Sequence, residues 1–122
     1  MLRRLVVLAV LLAACGGGGG SPIADARRIV EDDHRFETSY DAGDALAKVS
    51  ATLLAAGKQC DKDCAALLSA AAYAQVLAVH VLDCTAPGRF KVRAAMRSEL
   101  EKIEHVPKGA PAPVPPRPPR CG

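Results

Sequence analysis

Residues 65–82 read AALLSAAAYAQVLAVHVL, eighteen positions without a charged side chain. Alanine and leucine are strong helix formers, and eighteen residues make five turns, about 27 Å long. A run of this length also approaches what a bilayer span requires. Ser69, Gln75 and His80 interrupt it, and most of its bulk is alanine rather than leucine. Both features favour the central helix of a bundle, apolar all round because neighbours cover it.

The flanks agree with a helix. Asp61 and Asp63 precede the run, where the positive end of a helix dipole favours acids. With Asp83 closing it, the helix is expected from about 61 to 83. Residues 85–88, Thr-Ala-Pro-Gly, mark a turn. From 89 to 106, Val92, Met96, Leu100 and Ile103 recur at helical spacing in a basic, amphipathic segment that Pro107 ends. Upstream, Ser21-Pro22 reads as an N-cap followed by a first-turn proline. Ile23, Ala26, Val30 and Phe36 then form the apolar side of a helix to about Tyr40. Asp41-Ala-Gly-Asp44 is expected to break it. A further helix follows from Asp44, with Leu46, Val49, Leu53 and Leu54 inside and Gly57 as its stop. The fold class expected is all-α: a small antiparallel bundle of three or four helices over residues 22–106. Residues 107–122 (PKGAPAPVPPRPPRCG) are extended and polyproline-like. There is no solenoid-type repeat.

The chain begins MLRRLVVLAVLLAAC. Two arginines, a short apolar run and small residues before a cysteine form a secretory signal. The run, about ten residues, is too short to span a bilayer. The ending Leu12-Ala13-Ala14-Cys15 resembles the lipobox of bacterial lipoproteins. That resemblance implies removal of residues 1–14, acylation of Cys15 and a lipid bilayer as its first partner. Two or more acyl chains hold a protein stably, whereas one does not. Residues 15–21 then form a lipidated, glycine-rich tether with a reach of about 13 Å. Gly16, rather than Asp, follows the cysteine. By the family's sorting rule this implies the outer membrane in a diderm host, and otherwise a lipid-anchored position in the cell envelope.

Sixteen basic and thirteen acidic residues give a net charge of +3. Without Arg3 and Arg4 the balance falls near +1, no footprint for nucleic acid. The spread is uneven. Residues 21–83 carry six basic and ten acidic side chains, residues 84–122 eight and three. The basic third either meets anionic headgroups or an acidic partner, or is a solvated helix face. Two Phe, two Tyr and no Trp leave a thin core that calls for staples.

With Cys15 assigned to lipid, Cys60, Cys64, Cys84 and Cys121 remain, an even set that reads as a disulfide framework in an exported domain. A continuous helix from 61 to 83 separates its ends by about 33 Å. A disulfide needs α-carbons within about 7 Å. Cys84 therefore cannot reach Cys60 or Cys64, which leaves Cys60–Cys64 and Cys84–Cys121. The last helix carries the chain about 26 Å from Cys84. Fifteen extended residues can return about 46 Å, so the tail should fold back and be pinned near the start of that helix.

Catalytic chemistry is not expected. Residues 31–34 (Glu-Asp-Asp-His) lie in one helical stretch and point around it, although Glu31 and His34 share a face. No nucleophilic triad, paired carboxylates, phosphate loop or zinc-type spacing is present, and no cofactor or metal is called for. Cys60-x-x-x-Cys64 offers one alternative. Two thiolates suit Cu(I) or a redox pair, and the spacing is similar to the copper motif of SCO-type chaperones, with His80 or His105 as the added ligand. Those chaperones have a thioredoxin-like fold, for which no strand pattern exists here. PPRPPR could also serve as a ligand for an aromatic groove, although a strap bridged to Cys84 is preferred. The functional expectation is a membrane-anchored lipoprotein with a small helical structural or interaction domain and an unidentified protein partner. An inhibitor or immunity-type role is a further option that no residue selects.

Overall fold

A computed structural model describes residues 21–107 and 110–121. The signal-like residues, Cys15 and the glycine tether lie outside that range. Among the described residues the protein is all-helical: α1 (Pro22–Glu31), a 3-10 turn (Asp33–Phe36), α2 (Ser39–Gln59), α3 (Cys64–Val81) and α4 (Ala86–Glu104). The four helices form a square in chain order, with α1 and α3 across one diagonal. It is a small disulfide-stapled bundle with an extended tail.

The first break falls earlier than the sequence suggests. Asp32 takes an extended backbone and ends α1. Its carboxylate then accepts from the His34 amide at 3.2 Å and from Arg35 Nε at 3.1 Å, starting the 3-10 turn. α2 begins at Ser39. Thr38 is its N-cap: Oγ1 accepts from the Asp41 amide at 3.0 Å and donates to the Asp41 carboxylate at 2.9 Å. Asp41-Ala-Gly-Asp44 is thus the first turn of α2, the capping pattern of a helix start, and not a break. The turn places Phe36 fully inside the core.

Gly43 is helical for a packing reason. A Cβ there would stand 2.9 Å from Leu82 Cδ2 and 3.3 Å from the Ala78 carbonyl. One at Gly57 would stand 2.8 Å from Leu68 Cγ and Cδ2. Midway between them, Ser50 Oγ donates to the Ala71 carbonyl at 2.7 Å, in a buried position. Small residues seven apart on α2 therefore face α3 throughout, and the helices approach closely in antiparallel register. In a chain poor in aromatics, this brings the two helix backbones close together. Packing density sets the dispersion gained from a given area.

α3 is a corner of the square, not its centre. It packs against α2 and α4. Ala66, Leu67, Ala70, Ala74, Leu77 and Val81 are among its buried residues. It is the one described helix long and apolar enough to cross a membrane, but half of its residues are buried inside the bundle. The opposite side, with Leu68, Ala72, Gln75, Val76 and Val79, is exposed.

α4 buries Val92, Met96, Leu100 and Ile103 as its periodicity requires. It also buries Arg93, 8 % exposed, which the solvated-face reading did not anticipate. Arg93 Nε donates to the Val30 carbonyl at 2.6 Å, Nη1 meets Asp33 at 2.6 Å, and the guanidinium lies 5.3 Å from the Phe36 ring centroid. One turn earlier, Arg89 donates to the carbonyls of Phe36 (3.3 Å), Glu37 (2.6 Å) and Cys84 (3.0 Å). The two arginines satisfy carbonyls at the end of α1 and around the 3-10 turn, where helix geometry supplies no donors. Arg27–Glu104 and Arg97–Glu31 complete an antiparallel α1–α4 seam.

Candidate functional site

Both ends of α3 carry a disulfide. Cys60 and Cys64 are bonded across the loop into α3, with α-carbons 5.7 Å apart. Asp63, with φ 59°, turns this loop, a left-handed conformation that Asp tolerates better than most residues. Its side chain makes no capping bond to α3, so its contribution at the helix start is conformational. At the other end Cys84 is bonded to Cys121 with α-carbons 5.0 Å apart.

The tail reaches Cys84 by running along α3. Ser69 Oγ donates to the Pro113 carbonyl at 3.4 Å, and His80 Nε2 lies 2.7 Å from the Pro119 carbonyl. Eleven helical residues advance about 16 Å, and six polyproline residues about 19 Å. The two rises match, so the strap lies parallel to α3 in register with it. Ala112 packs against the core, while Arg117 and Arg120 face solvent. At its end, Cys121 sits on the first turn of α4. A Cβ at Gly88 would be 3.0 Å from Cys121 Cα and from Cys84 Cβ. Only glycine leaves that space.

His80 is therefore placed with the second disulfide. Its Nε2 is 3.4 Å from Cys121 Sγ. Among the described residues, the one set of three potential metal ligands sharing a site is His80, Cys84 and Cys121, with donor atoms within 4.8 Å of one another. Cys64 lies sixteen residues away, about 24 Å along α3. The alternative that joins His80 to the Cys60–Cys64 pair is thereby overturned. His105 is the exposed C-cap of α4.

The acidic cluster at 31–34 is not one helical stretch, and its members diverge. Glu31 pairs with Arg97, Asp32 with Arg35, Asp33 with Arg93, and His34 with Glu37 at 2.8 Å. The Glu37 carboxylate raises the His34 pKa, first by its hydrogen bond and then by its charge. Each carboxylate has a separate cation, so no shared site forms there.

The second surface feature is apolar. Tyr40, Val76, Val79 and Leu82 are 78, 50, 63 and 48 % exposed. Tyr40, Gly43, Ala47, Ala78, Val79 and Leu82 line a groove of about 280 Å³ between α2 and α3. Asp44 and Gln75 form its polar edge. A wider groove beside it is lined by Val76, Val79, His80, Asp83 and Pro118, where the strap forms one wall. The periodicity of residues 65–82 could not reveal this face, because exposed and buried positions of α3 are equally apolar.

Among the described residues, the buried side-chain polar atoms without a hydrogen-bond partner are the Tyr73 hydroxyl and both Glu99 carboxylate oxygens. Glu99 is 1 % exposed and Tyr73 4 %. Burial raises the pKa of Glu99, an effect that Lys102, 3.8 Å away, opposes. Burial, and then the Glu99 charge, raise that of Tyr73. Comparison with known proteins finds no matching family model, no matching curated protein and no matching solved structure.

Proposed function

We propose that this chain is a lipid-anchored protein of the cell envelope whose helical bundle docks a partner protein. The anchoring half rests on Leu12-Ala13-Ala14-Cys15 behind Arg3, Arg4 and the apolar run. The docking half rests on one observation, the exposed apolar face of Tyr40, Val76, Val79 and Leu82. A groove between antiparallel helices accepts the apolar ridge of an amphipathic helix. Asp44 and Asp83 on its margins favour a partner helix with basic flanks.

Labelling with a radioactive or clickable palmitate tests the anchor: the native chain takes label into the membrane fraction, and Cys15→Ala does not. Equal labelling of both forms removes the anchor. A photo-crosslinker at residue 76 tests the docking face in intact membranes. The expected adduct is one discrete partner band, lost in Val79→Glu and retained in Val114→Glu, a control at an 87 % exposed tail position. An adduct at twice the chain mass identifies a second copy and overturns the heterologous partner. Adducts insensitive to Val79→Glu overturn docking at this face.

A further inference from the structure

The Cys84–Cys121 bridge has surroundings that a purely structural staple does not need. Its two sulfurs differ in access: Cys84 is 4 % exposed and Cys121 is exposed. An external thiol can therefore attack at one sulfur only. Cys121 lies against Gly88 in the first turn of α4, and the Cys84 and Cys121 sulfurs stand 3.5 and 3.9 Å from the His80 carbonyl. Arg89, on the same turn, holds the Cys84 carbonyl at 3.0 Å. On the remaining side, His80 Nε2 approaches Cys121 Sγ at 3.4 Å.

We propose that reduction of Cys84–Cys121 creates a binding site for a soft monovalent cation, Cu(I), with Cys84 and Cys121 as thiolate ligands and His80 Nε2 as the third. The chemistry balances in two steps. An external dithiol gives two electrons and two protons to the disulfide, becoming a disulfide itself and leaving two protein thiols. Cu(I) then displaces both thiol protons and takes the two sulfurs and one imidazole nitrogen. Thiolates select Cu(I) over harder cations. Three donors suffice for Cu(I), whereas structural zinc takes four.

The structure supplies the movement this needs. Two sulfurs on one metal stand roughly 2 Å further apart than in a disulfide. Cys84 is fixed in the core, so Cys121 must withdraw, and it rides on an extended strap rather than a helix. In the bridged form Nε2 faces the Pro119 carbonyl at 2.7 Å. A carbonyl only accepts, so Nε2 carries the proton there. Metal binding requires the other tautomer, with the proton on Nδ1 and the Pro119 bond released. The same imidazole therefore holds the strap when the bridge is oxidised and holds the cation when it is reduced. The Cys60–Cys64 pair has no such partner among the described residues.

The test uses the full chain with Cys15→Ser, so that thiol chemistry is confined to the two pairs. Cu(I) is titrated against a chromophoric chelator, before reduction and after a phosphine reductant has been applied and removed. The oxidised chain should take up no Cu(I). The reduced chain with Cys60→Ser/Cys64→Ser should hold one Cu(I) per chain, with two sulfur and one nitrogen scatterers in its X-ray absorption spectrum. His80→Asn should weaken binding by at least about tenfold. Cu(I) should also raise the melting temperature of the reduced chain, which an ordered site does and unfolded thiols do not. Undiminished binding in Cys84→Ser/Cys121→Ser, indifference to His80→Asn, or uptake without thermal stabilisation would each overturn the site.

Discussion

The two disulfides bracket the same helix and differ in nearly every physical respect. Cys60–Cys64 spans four residues, Cys84–Cys121 thirty-seven. The first closes a loop that the start of α3 already restricts. The second fixes a strap with no secondary structure of its own. The first depends on the backbone turn at Asp63, the second on the space left by Gly88 and on a hydrogen bond from His80. One bridge reinforces a local conformation, whereas the other creates tertiary structure. The cost of losing each should follow that division.

The largest expected effect is loss of the long bridge. On chain-entropy grounds Cys84→Ser/Cys121→Ser should cost about 4 kcal/mol and Cys60→Ser/Cys64→Ser about 2 kcal/mol or less. Urea unfolding of both double variants measures the difference, and equal losses would break the distinction. Next come the glycines beside each bridge. Gly88→Val places its new atoms against the backbone of Cys121, whereas Gly57→Val meets the flexible end of Leu68. Both overpack, at about 1–3 kcal/mol, but only Gly88→Val should also leave free Cys121 thiol, detectable by alkylation and mass spectrometry. A smaller effect is expected from His80→Asn in the oxidised chain. Loss of the bond to Pro119 should cost about 1 kcal/mol and speed proteolysis of residues 111–120, with no change near Cys60.

An effect of the same small size, but opposite sign, lies away from both bridges and serves as a reference. Glu99 is protonated more readily in the folded chain than in the unfolded one, because burial penalises its carboxylate. Its cost is therefore full at neutral pH and vanishes as pH falls below the ordinary value of 4.5. Glu99→Gln should raise stability by about 1 kcal/mol at pH 7 and leave it unchanged near pH 4. Melting curves at the two pH values should show the gain only at the higher one, with both disulfides intact.

What could be read from the residues was what depends on period and reach. The α4 stripe from Val92 to Ile103 follows from helical spacing. The cysteine pairing follows from comparing a helix's length with a disulfide's span. Other features depend on what a side chain meets in space. Gly43 resembles a helix breaker in a linear reading, but its role is set by Leu82 and Ala78 across the seam. The Thr38–Asp41 capping pattern was the available signal for where α2 starts. Arg93 looks like any basic residue on a helix face until the open carbonyl of Val30 is placed beside it. His80 reads as an added ligand for Cys60–Cys64, whereas it stands beside Cys84–Cys121. The strap's register on α3 decides between them, and that register comes from matching two helical rises rather than from any local motif.

The strap has a topological consequence. Cys84 and Cys121 close a covalent ring around residues 84–121, which contains all of α4. A protease that cuts once anywhere inside this ring opens it without dividing the molecule, and the fragments part only after reduction. Cleavage in the exposed proline tract would leave the chain's apparent mass unchanged on a non-reducing gel. A single nick in this tail thus releases nothing.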